Sequence, residues 1–225
     1  MKKFNKKFYP FIAGITLIAL TIIIALSFTF NTTKHSQEEN SASNQVWVKD
    51  HSPMMGPVNA PITLVEFFDP ACEGCRAWYP HIKQIMQQYP QELRLVIRYV
   101  DFHKQSAQAI GILEASRKQN QFQNTLETLL AFQPAWAPHG KPGIDPWSLI
   151  DETTMNIQQA KKDAQSSQID KIIELDMTDV KAAEVKRTPT FFINGKPLKL
   201  MHPDSLKEMI EAELKLLKKE ATTQS

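Results

Sequence analysis

Residues 64–80 read LVEFFDPACEGCRAWYP, and this stretch decides the fold. Its apolar first half has the length of a buried strand and stops at an Asp-Pro pair. Cys72 and Cys75 follow with two residues between them, and the segment after them has helical character. Pro80 lies within that segment, so we expect the helix to kink or to end its first part there. A strand that leads into Cys-x-x-Cys at a helix start predicts a redox-active dithiol.

These two cysteines are the only ones among 225 residues. At the first turn of a helix, free N–H groups and the helix dipole stabilise a thiolate. We therefore expect Cys72 to be the exposed nucleophile and Cys75 to be the buried resolving thiol. A zinc site would need a second cysteine pair or closely spaced histidines, which the sequence lacks. A purely structural disulfide would close too small a loop to constrain the unfolded chain much.

The N-terminal residues predict export. Four lysines precede an uncharged apolar run at residues 9–30, which is long enough to cross a bilayer as a helix. The basic residues orient the N-terminus towards the cytoplasm. We expect an uncleaved signal anchor because the run is long for a signal peptide, and cleavage at Ala25-Leu26-Ser27 is the alternative. Either way, the rest of the chain would reach a compartment where disulfides persist.

The composition predicts one folded domain behind this anchor. With 42% hydrophobic residues the chain can form a core, and without the four N-terminal lysines it has 22 basic and 24 acidic residues. This near-neutral balance does not indicate a nucleic-acid-binding surface. The predicted segments are a basic cytoplasmic N-terminus (1–8), a transmembrane signal anchor (9–30), a flexible linker (31–55), a folded domain (56–220) and a polar tail (221–225).

Within the folded domain, strand and helix patterns alternate and then change. Strands are predicted at 62–68 and 93–100, with the Cys-x-x-Cys helix between them, which makes a β-α-β unit. A helical block follows at about 104–183, with a loop at 133–143 and a break near Met177. Asn194-Gly195 between two strand patterns predicts a hairpin, and an apolar stripe over 205–219 predicts a final helix.

This order resembles the DsbA-like branch of the thioredoxin superfamily. The residues that carry the resemblance are Ala60–Phe67 before the cysteine motif, Pro80 five residues after its second cysteine, and Arg187–Gly195. The resemblance covers about residues 56–218. It implies an α/β thioredoxin-like fold with an inserted helical domain, preceded in this chain by the predicted transmembrane helix.

The resemblance also implies roles for residues away from the cysteines. The family residue that matches Pro189 forms a cis peptide bond facing the dithiol, and the residue matching Thr188 presents its backbone to a bound substrate chain. Glu66 matches an acid that lies beneath the cysteines and assists proton transfer to or from Cys75. A partly buried carboxyl group can do this near neutral pH, and a surface-facing strand residue is the alternative.

Glu73 and Gly74 depart from the family pattern, since the strongly oxidising members carry Pro-His between the cysteines. No imidazolium adjoins Cys72 in the sequence, and Glu73 adds negative charge close to it. Both differences disfavour the thiolate. The sequence therefore predicts a weaker oxidant than the Pro-His type, and it leaves an isomerase or a reductant open.

Three other side chains have local interpretations. We expect Asp69 to cap the turn before the helix, and His103 and His139 to be surface or loop residues. The alternative for His139 is a place beside Trp136 in a substrate groove.

The prediction for the whole chain is a membrane-tethered, exported enzyme that exchanges thiols and disulfides in protein clients. It would need no cofactor or metal besides the Cys72–Cys75 pair, and it would sit on the extracytoplasmic (periplasmic) side of the inner membrane. Its membrane partner would be a quinone-linked oxidase or a transmembrane electron donor. The alternatives are a dedicated reductant for one client, a non-catalytic client-binding or chaperone module, and a copper-handling protein.

Overall fold

The computed structural model describes residues 47–223, and this part of the chain forms one five-stranded sheet with helices around it. The strands are β1 (Met54–Met55), β2 (Ile62–Phe68), β3 (Leu93–Tyr99), β4 (Thr190–Ile193) and β5 (Lys196–Pro197). The helices are α1 (Glu73–Gln88), α2 (Ser106–Arg117), α3 (Phe122–Ala131), α4 (Gln133–Trp136), α5 (Ile157–Ala164), α6 (Ser167–Ala182) and α7 (Pro203–Thr223), with a 3₁₀ turn at Pro146–Leu149.

The sheet confirms the predicted β-α-β unit and hairpin. Its strand order is β1-β3-β2-β4-β5, with β2 parallel to β3 and antiparallel to β4. Every residue of β2 is buried, as expected for an apolar strand in the middle of a sheet covered on both faces. Asn194 and Gly195 have φ values of 47° and 77°, the left-handed conformation that a two-residue hairpin turn requires.

The helical insertion is present between β3 and β4, and two details of its prediction are wrong. Helix α6 runs through Met177 without a break, because the neighbouring Asp176 is buried and bonded to Arg98. The segment 133–143 is not entirely loop, since Gln133–Trp136 forms a short helix. Trp136 is buried there, and its Nε1 donates a 2.7 Å hydrogen bond to the carbonyl oxygen of Leu129.

Helix α1 does not end at Pro80 but continues to Gln88. Strand β1 was not predicted; it is only two residues long and pairs with β3 at the sheet edge. Within residues 47–223, no helix combines the length and the apolar character needed to span a membrane. The predicted anchor at 9–30 and most of the predicted linker lie outside the described residues.

Candidate active site at the dithiol

The cysteine motif lies where β2 turns into α1. Cys72 is the N-cap residue of α1, with extended backbone angles and no side-chain cap, and Cys75 lies in the first turn. Both cysteines are free in the structure. Cys72 is 9% exposed and Cys75 is not exposed at all, so the expected order of access holds, although Cys72 is more enclosed than expected.

The surroundings of Cys72 stabilise a thiolate. They lower its pKa to about 5, through hydrogen bonds from the Cys75 thiol, the Thr188 side chain and the backbone N–H groups of Cys75 and Gly74. The Cys75 bond is the largest contribution, and partial burial opposes the shift without cancelling it. The first turn of α1 therefore supplies the donors that the sequence predicted.

The loop before β4 packs directly onto this turn. The Thr188–Pro189 peptide bond is cis, and the carbonyl oxygen of Thr188 lies 3.3 Å from the Cys72 Sγ. A Cβ atom added to Gly74 would lie 3.1 Å from the Pro189 Cδ and 3.2 Å from the Thr188 oxygen. Gly74 thus lets the two segments approach closely, which a larger residue would hinder.

Cys75 has the opposite character. Burial raises its pKa well above the ordinary value, and the hydrogen bond to Cys72 and the nearby charges of Glu66 and Cys72 act in the same direction. The backbone N–H of Asp69 lies 3.4 Å from its Sγ. Near neutral pH the pair therefore consists of a thiolate at Cys72 and a protonated thiol at Cys75.

Glu66 is buried in the middle of β2, which excludes the surface-facing alternative. Burial, and secondarily the charge of Cys72, raise the pKa of its carboxyl group to about 8. Its Oε1 has no hydrogen-bond partner among the described residues. The carboxyl group therefore keeps its proton near pH 7 and lies close enough to Cys75 to raise the pKa of that thiol.

Asp69 does more than cap a turn. Its Oδ1 accepts a 2.8 Å hydrogen bond from the Ala71 N–H, as expected, and a 2.6 Å bond from the Ser106 hydroxyl. Its Oδ2 accepts from the Phe102 N–H and lies 2.7 Å from the His103 Nδ1. The buried carboxylate therefore joins the dithiol turn to the start of α2.

His103 is half-buried rather than a plain surface residue. Burial lowers its pKa, but the hydrogen bond and charge of Asp69 outweigh this and raise it. The charges of Cys72 and Glu73 also raise it. The His103 imidazole thus lies within electrostatic reach of Cys72 even though no histidine adjoins Cys72 in the sequence.

A second imidazole reaches the motif from the 137–143 loop. The His139 Nε2 pairs with the Glu73 carboxylate, although both side chains are substantially exposed. His139 and His103 line an open pocket of about 710 Å³ beside Ala71, and the buried Trp136 is not part of it. The sequence indicated neither this ion pair nor the position of His139, because 66 residues of chain separate it from Glu73.

Gln133 is the other residue that sequence reasoning missed. Its buried amide contacts the segment from Pro70 to Arg76 through three hydrogen bonds. A lone glutamine before a proline carries no recognisable signal. Among residues 47–223 there is also no cluster of His, Cys, Asp and Glu that could hold a metal ion.

Comparison with known proteins agrees with this geometry. A family model described as thioredoxin matches residues 49–212. The probable disulfide bond formation protein D of Bacillus anthracis is 26% identical over 219 residues, which cover 88% of this chain and 97% of the relative.

Solved structures show the same fold. Oxidised BdbD from Bacillus subtilis superposes with a TM-score of 0.64 at 25% identity, covering 73% of this chain and 94% of BdbD. The α-DsbA1 of Wolbachia pipientis gives a TM-score of 0.63 at 17% identity, over 81% of this chain and all of that chain. These matches confirm the predicted fold class.

Proposed function

We propose that this chain, which belongs to the thioredoxin family and is a thiol–disulfide oxidoreductase, introduces disulfide bonds into exported client proteins. The observation that carries the direction of the reaction is the contrast between the two cysteines. Interactions that hold Cys72 as a thiolate stabilise the reduced protein, so its Cys72–Cys75 disulfide accepts electrons readily. The relatives named disulfide bond formation protein support the same direction.

The reaction begins with the oxidised pair. A client thiolate attacks the Cys72 Sγ, the Cys72–Cys75 bond breaks, and Cys75 leaves with the electron pair. A second client thiolate then attacks the client sulfur of the mixed disulfide, and Cys72 leaves as a thiolate. The client loses two electrons and two protons; the enzyme takes up both electrons and one proton, which gives a thiolate at Cys72 and a thiol at Cys75, and the other proton goes to solvent.

Glu66 would supply the proton that Cys75 takes up. Since the pKa of its carboxyl group is about 8, the group is protonated when the oxidised enzyme meets its client near pH 7. Cys75 is buried away from water, so a nearby acid is needed to protonate it as it leaves. When the enzyme is re-oxidised, the ionised fraction of Glu66 would take the proton back from Cys75.

Thr188 and Pro189 would bind the client chain. The carbonyl oxygen of Thr188 lies beside the Cys72 Sγ, so a client backbone that pairs with this segment would bring its cysteine to the Cys72 sulfur that it attacks. Main-chain pairing of this kind accepts many sequences, which suits an enzyme with varied clients.

Glu73 and Gly74 would tune the oxidising strength. We retain the prediction that the enzyme oxidises less strongly than the Pro-His type, because Glu73 places negative charge near Cys72. The contact with His139 offsets part of that charge when the imidazole is protonated. This contact favours an oxidant over the reductant or isomerase that the sequence left open.

The cellular setting follows from the same assignment. Residues 9–30 would hold the catalytic domain on the extracytoplasmic side of the membrane, and a quinone-linked membrane protein would re-oxidise the dithiol. The dedicated reductant, the non-catalytic client-binding module and the copper-handling protein remain the competing assignments.

Trapping the mixed disulfide tests the proposal. A Cys75→Ala variant should accumulate disulfide-linked client adducts through Cys72, whereas a Cys72→Ala variant should form none. In cells, the Cys72–Cys75 pair of the wild type should be mostly oxidised when free thiols are blocked on lysis. A pair that is mostly reduced would instead support a reductase or isomerase, and the absence of adducts would support a non-catalytic module.

A further inference from the structure

Gln133 joins the inserted helical layer to the dithiol turn. It is the first residue of α4, and its side chain is 1% exposed. Its Nε2 donates hydrogen bonds of 2.7 Å to the Pro70 carbonyl oxygen and 3.0 Å to the Cys72 carbonyl oxygen. Its Oε1 accepts a 3.1 Å bond from the Arg76 Nε. The Nε2 and Oε1 atoms of this buried amide therefore both bond to Pro70–Arg76, the seven-residue turn that contains the cysteines.

These contacts occur at the start of α1, which has no side-chain N-cap. Cys72 is the N-cap residue, and no side chain caps it. Its carbonyl oxygen accepts the first helical hydrogen bond, from the Arg76 N–H at 3.2 Å, and also the bond from Gln133. Since the N–H groups of Gly74 and Cys75 that face the Cys72 sulfur belong to this same turn, its orientation determines where those donors point.

We propose that Gln133 is a positioning residue, through which the inserted helical layer holds the Pro70–Arg76 turn in its reactive geometry. The amide satisfies two buried carbonyl oxygens at once and places the Arg76 side chain alongside the turn. Without it, the Pro70 carbonyl oxygen would lose its donor among the described residues and the Cys72 carbonyl oxygen would keep only the Arg76 N–H, so the turn would shift to find other partners. The inference rests on the proposed thiol–disulfide chemistry, but it concerns a residue of the insertion rather than of the thioredoxin core.

The test is a titration of the Cys72 thiolate by its ultraviolet absorbance in reduced Gln133→Met protein. Methionine matches the length of glutamine but offers neither the donors nor the strong acceptor. The expected result is a Cys72 pKa about one unit higher than in the wild type, which is a tenfold smaller thiolate fraction at acid pH. Alkylation at pH 5, where about half of the wild-type thiol is ionised, should slow about fivefold.

The matched control is Gln123→Met, which alters an exposed glutamine of α3 that bonds only to Glu127 among the described residues. It should leave the Cys72 pKa unchanged. A folded Gln133→Met protein with an unchanged Cys72 pKa would overturn the inference, even if its thermal stability falls, since lost packing alone lowers stability only.

If Gln133→Met does not fold, Gln133→Asn provides the measurement. Asparagine keeps the amide but is one carbon shorter, so it cannot reach both carbonyl oxygens and should raise the Cys72 pKa by a smaller amount. An unchanged pKa in this variant would equally overturn the inference. Both readouts need no client, so a wild type with a low Cys72 pKa that fails to oxidise clients would refute the proposed function alone.

Discussion

Each face of the central sheet buries an acidic side chain, Glu66 on one face and Asp176 on the other. The surroundings of the two side chains differ. Glu66 of β2 pairs in register with Ile97, and it lies on the face that carries the cysteines. Arg98 of β3 points to the opposite face, where it meets Asp176 of α6. Glu66 and Asp176 are 1% and 0% exposed, so burial does not distinguish them.

The hydrogen bonds of Glu66 and Asp176 distinguish the two side chains. Asp176 accepts bonds of 2.9 and 2.5 Å from the Arg98 Nε and Nη2, one from the Tyr99 N–H, and lies 2.6 Å from the His51 Nε2. The Oε1 of Glu66 has no partner among residues 47–223. The bonds of Asp176 to Arg98 hold α6 against β3, whereas the buried carboxyl group of Glu66 has a raised pKa and keeps a proton near neutral pH that it can transfer. The face of the sheet with Arg98 and Asp176, the structural face, therefore holds elements together. The face with Glu66 and the cysteines, the chemical face, carries the reaction.

The largest expected effect is a loss of stability when Arg98, the positively charged partner of Asp176 on the structural face, is replaced. We expect Arg98→Met to lower the free energy of unfolding by about 3–5 kcal/mol, because it leaves Asp176 buried without its counter-charge. Urea unfolding followed by circular dichroism measures this loss. In the protein that remains folded, the rate of Cys72 alkylation should equal that of the wild type.

The control is Lys118→Met, which removes the exposed ion pair with Asp163. Its cost should be a small fraction of the loss in Arg98→Met, as is usual for surface pairs. Equal losses in the two variants would mean that the Arg98–Asp176 contact is no more important than a surface pair.

Replacing Glu66 on the chemical face should slow the reaction but should not reduce stability. Glu66→Gln should slow the release and re-protonation of Cys75 about a hundredfold, because it removes the general acid. It should not lower stability at pH 8, since it also removes the cost of burying a carboxylate without partners. Stopped-flow tryptophan fluorescence during client oxidation measures the rate, and full activity in this variant would exclude the role proposed for Glu66.

The pH dependence of stability provides a second measurement on Glu66. Because its folded-state pKa is raised from 4.5 to about 8, its contribution to stability is complete below pH 4.5 and is lost as the pH rises towards 8. The unfolding free energy of the wild type should therefore fall over this range relative to that of Glu66→Gln. Oxidised protein should be used, because the Cys72 thiol of reduced protein titrates with the opposite sign; burial, the larger cause of the raised Glu66 pKa, is present in both forms, whereas the charge of Cys72 adds to it only in the reduced form.

The smallest expected effect concerns the exposed rim of the chemical face. His139→Ala should raise the Cys72 pKa by less than about 0.7 units, since exposed pairs contribute about 0.2–1 kcal/mol. The sign follows from the charge of Glu73, which disfavours the thiolate more once its partner is gone. Thiolate titration in the Glu73→Gln background is the control, where removing His139 should not raise the pKa. A fall in pKa in the wild-type background, or an equal rise in the Glu73→Gln background, would contradict the assignment.

Local patterns predicted most of the fold. The continuous apolar run of β2, the β-prone run of β3 and the Asn194-Gly195 hairpin were predicted because each signal lies within a few neighbouring residues. The expected break near Met177 was wrong. Asp176 on its own disfavours a helix interior, but its buried ion pair with Arg98 stabilises it within α6. Arg98 precedes it by 78 residues, which no local pattern spans.

The sequence by itself determined that a dithiol sits between a buried strand and a helix start, because Cys-x-x-Cys and its flanking patterns are contiguous. It also indicated an acid on that strand and an X-Pro segment to face it, through resemblance to a family. Only the tertiary structure decided which polar groups are paired: His139 with Glu73, Gln133 with the cysteine turn, Arg98 with Asp176, and no hydrogen-bond partner for the Glu66 Oε1 among residues 47–223. Hydrogen bonds and charges act over a few ångströms of space, and the chain positions they join are far apart in sequence.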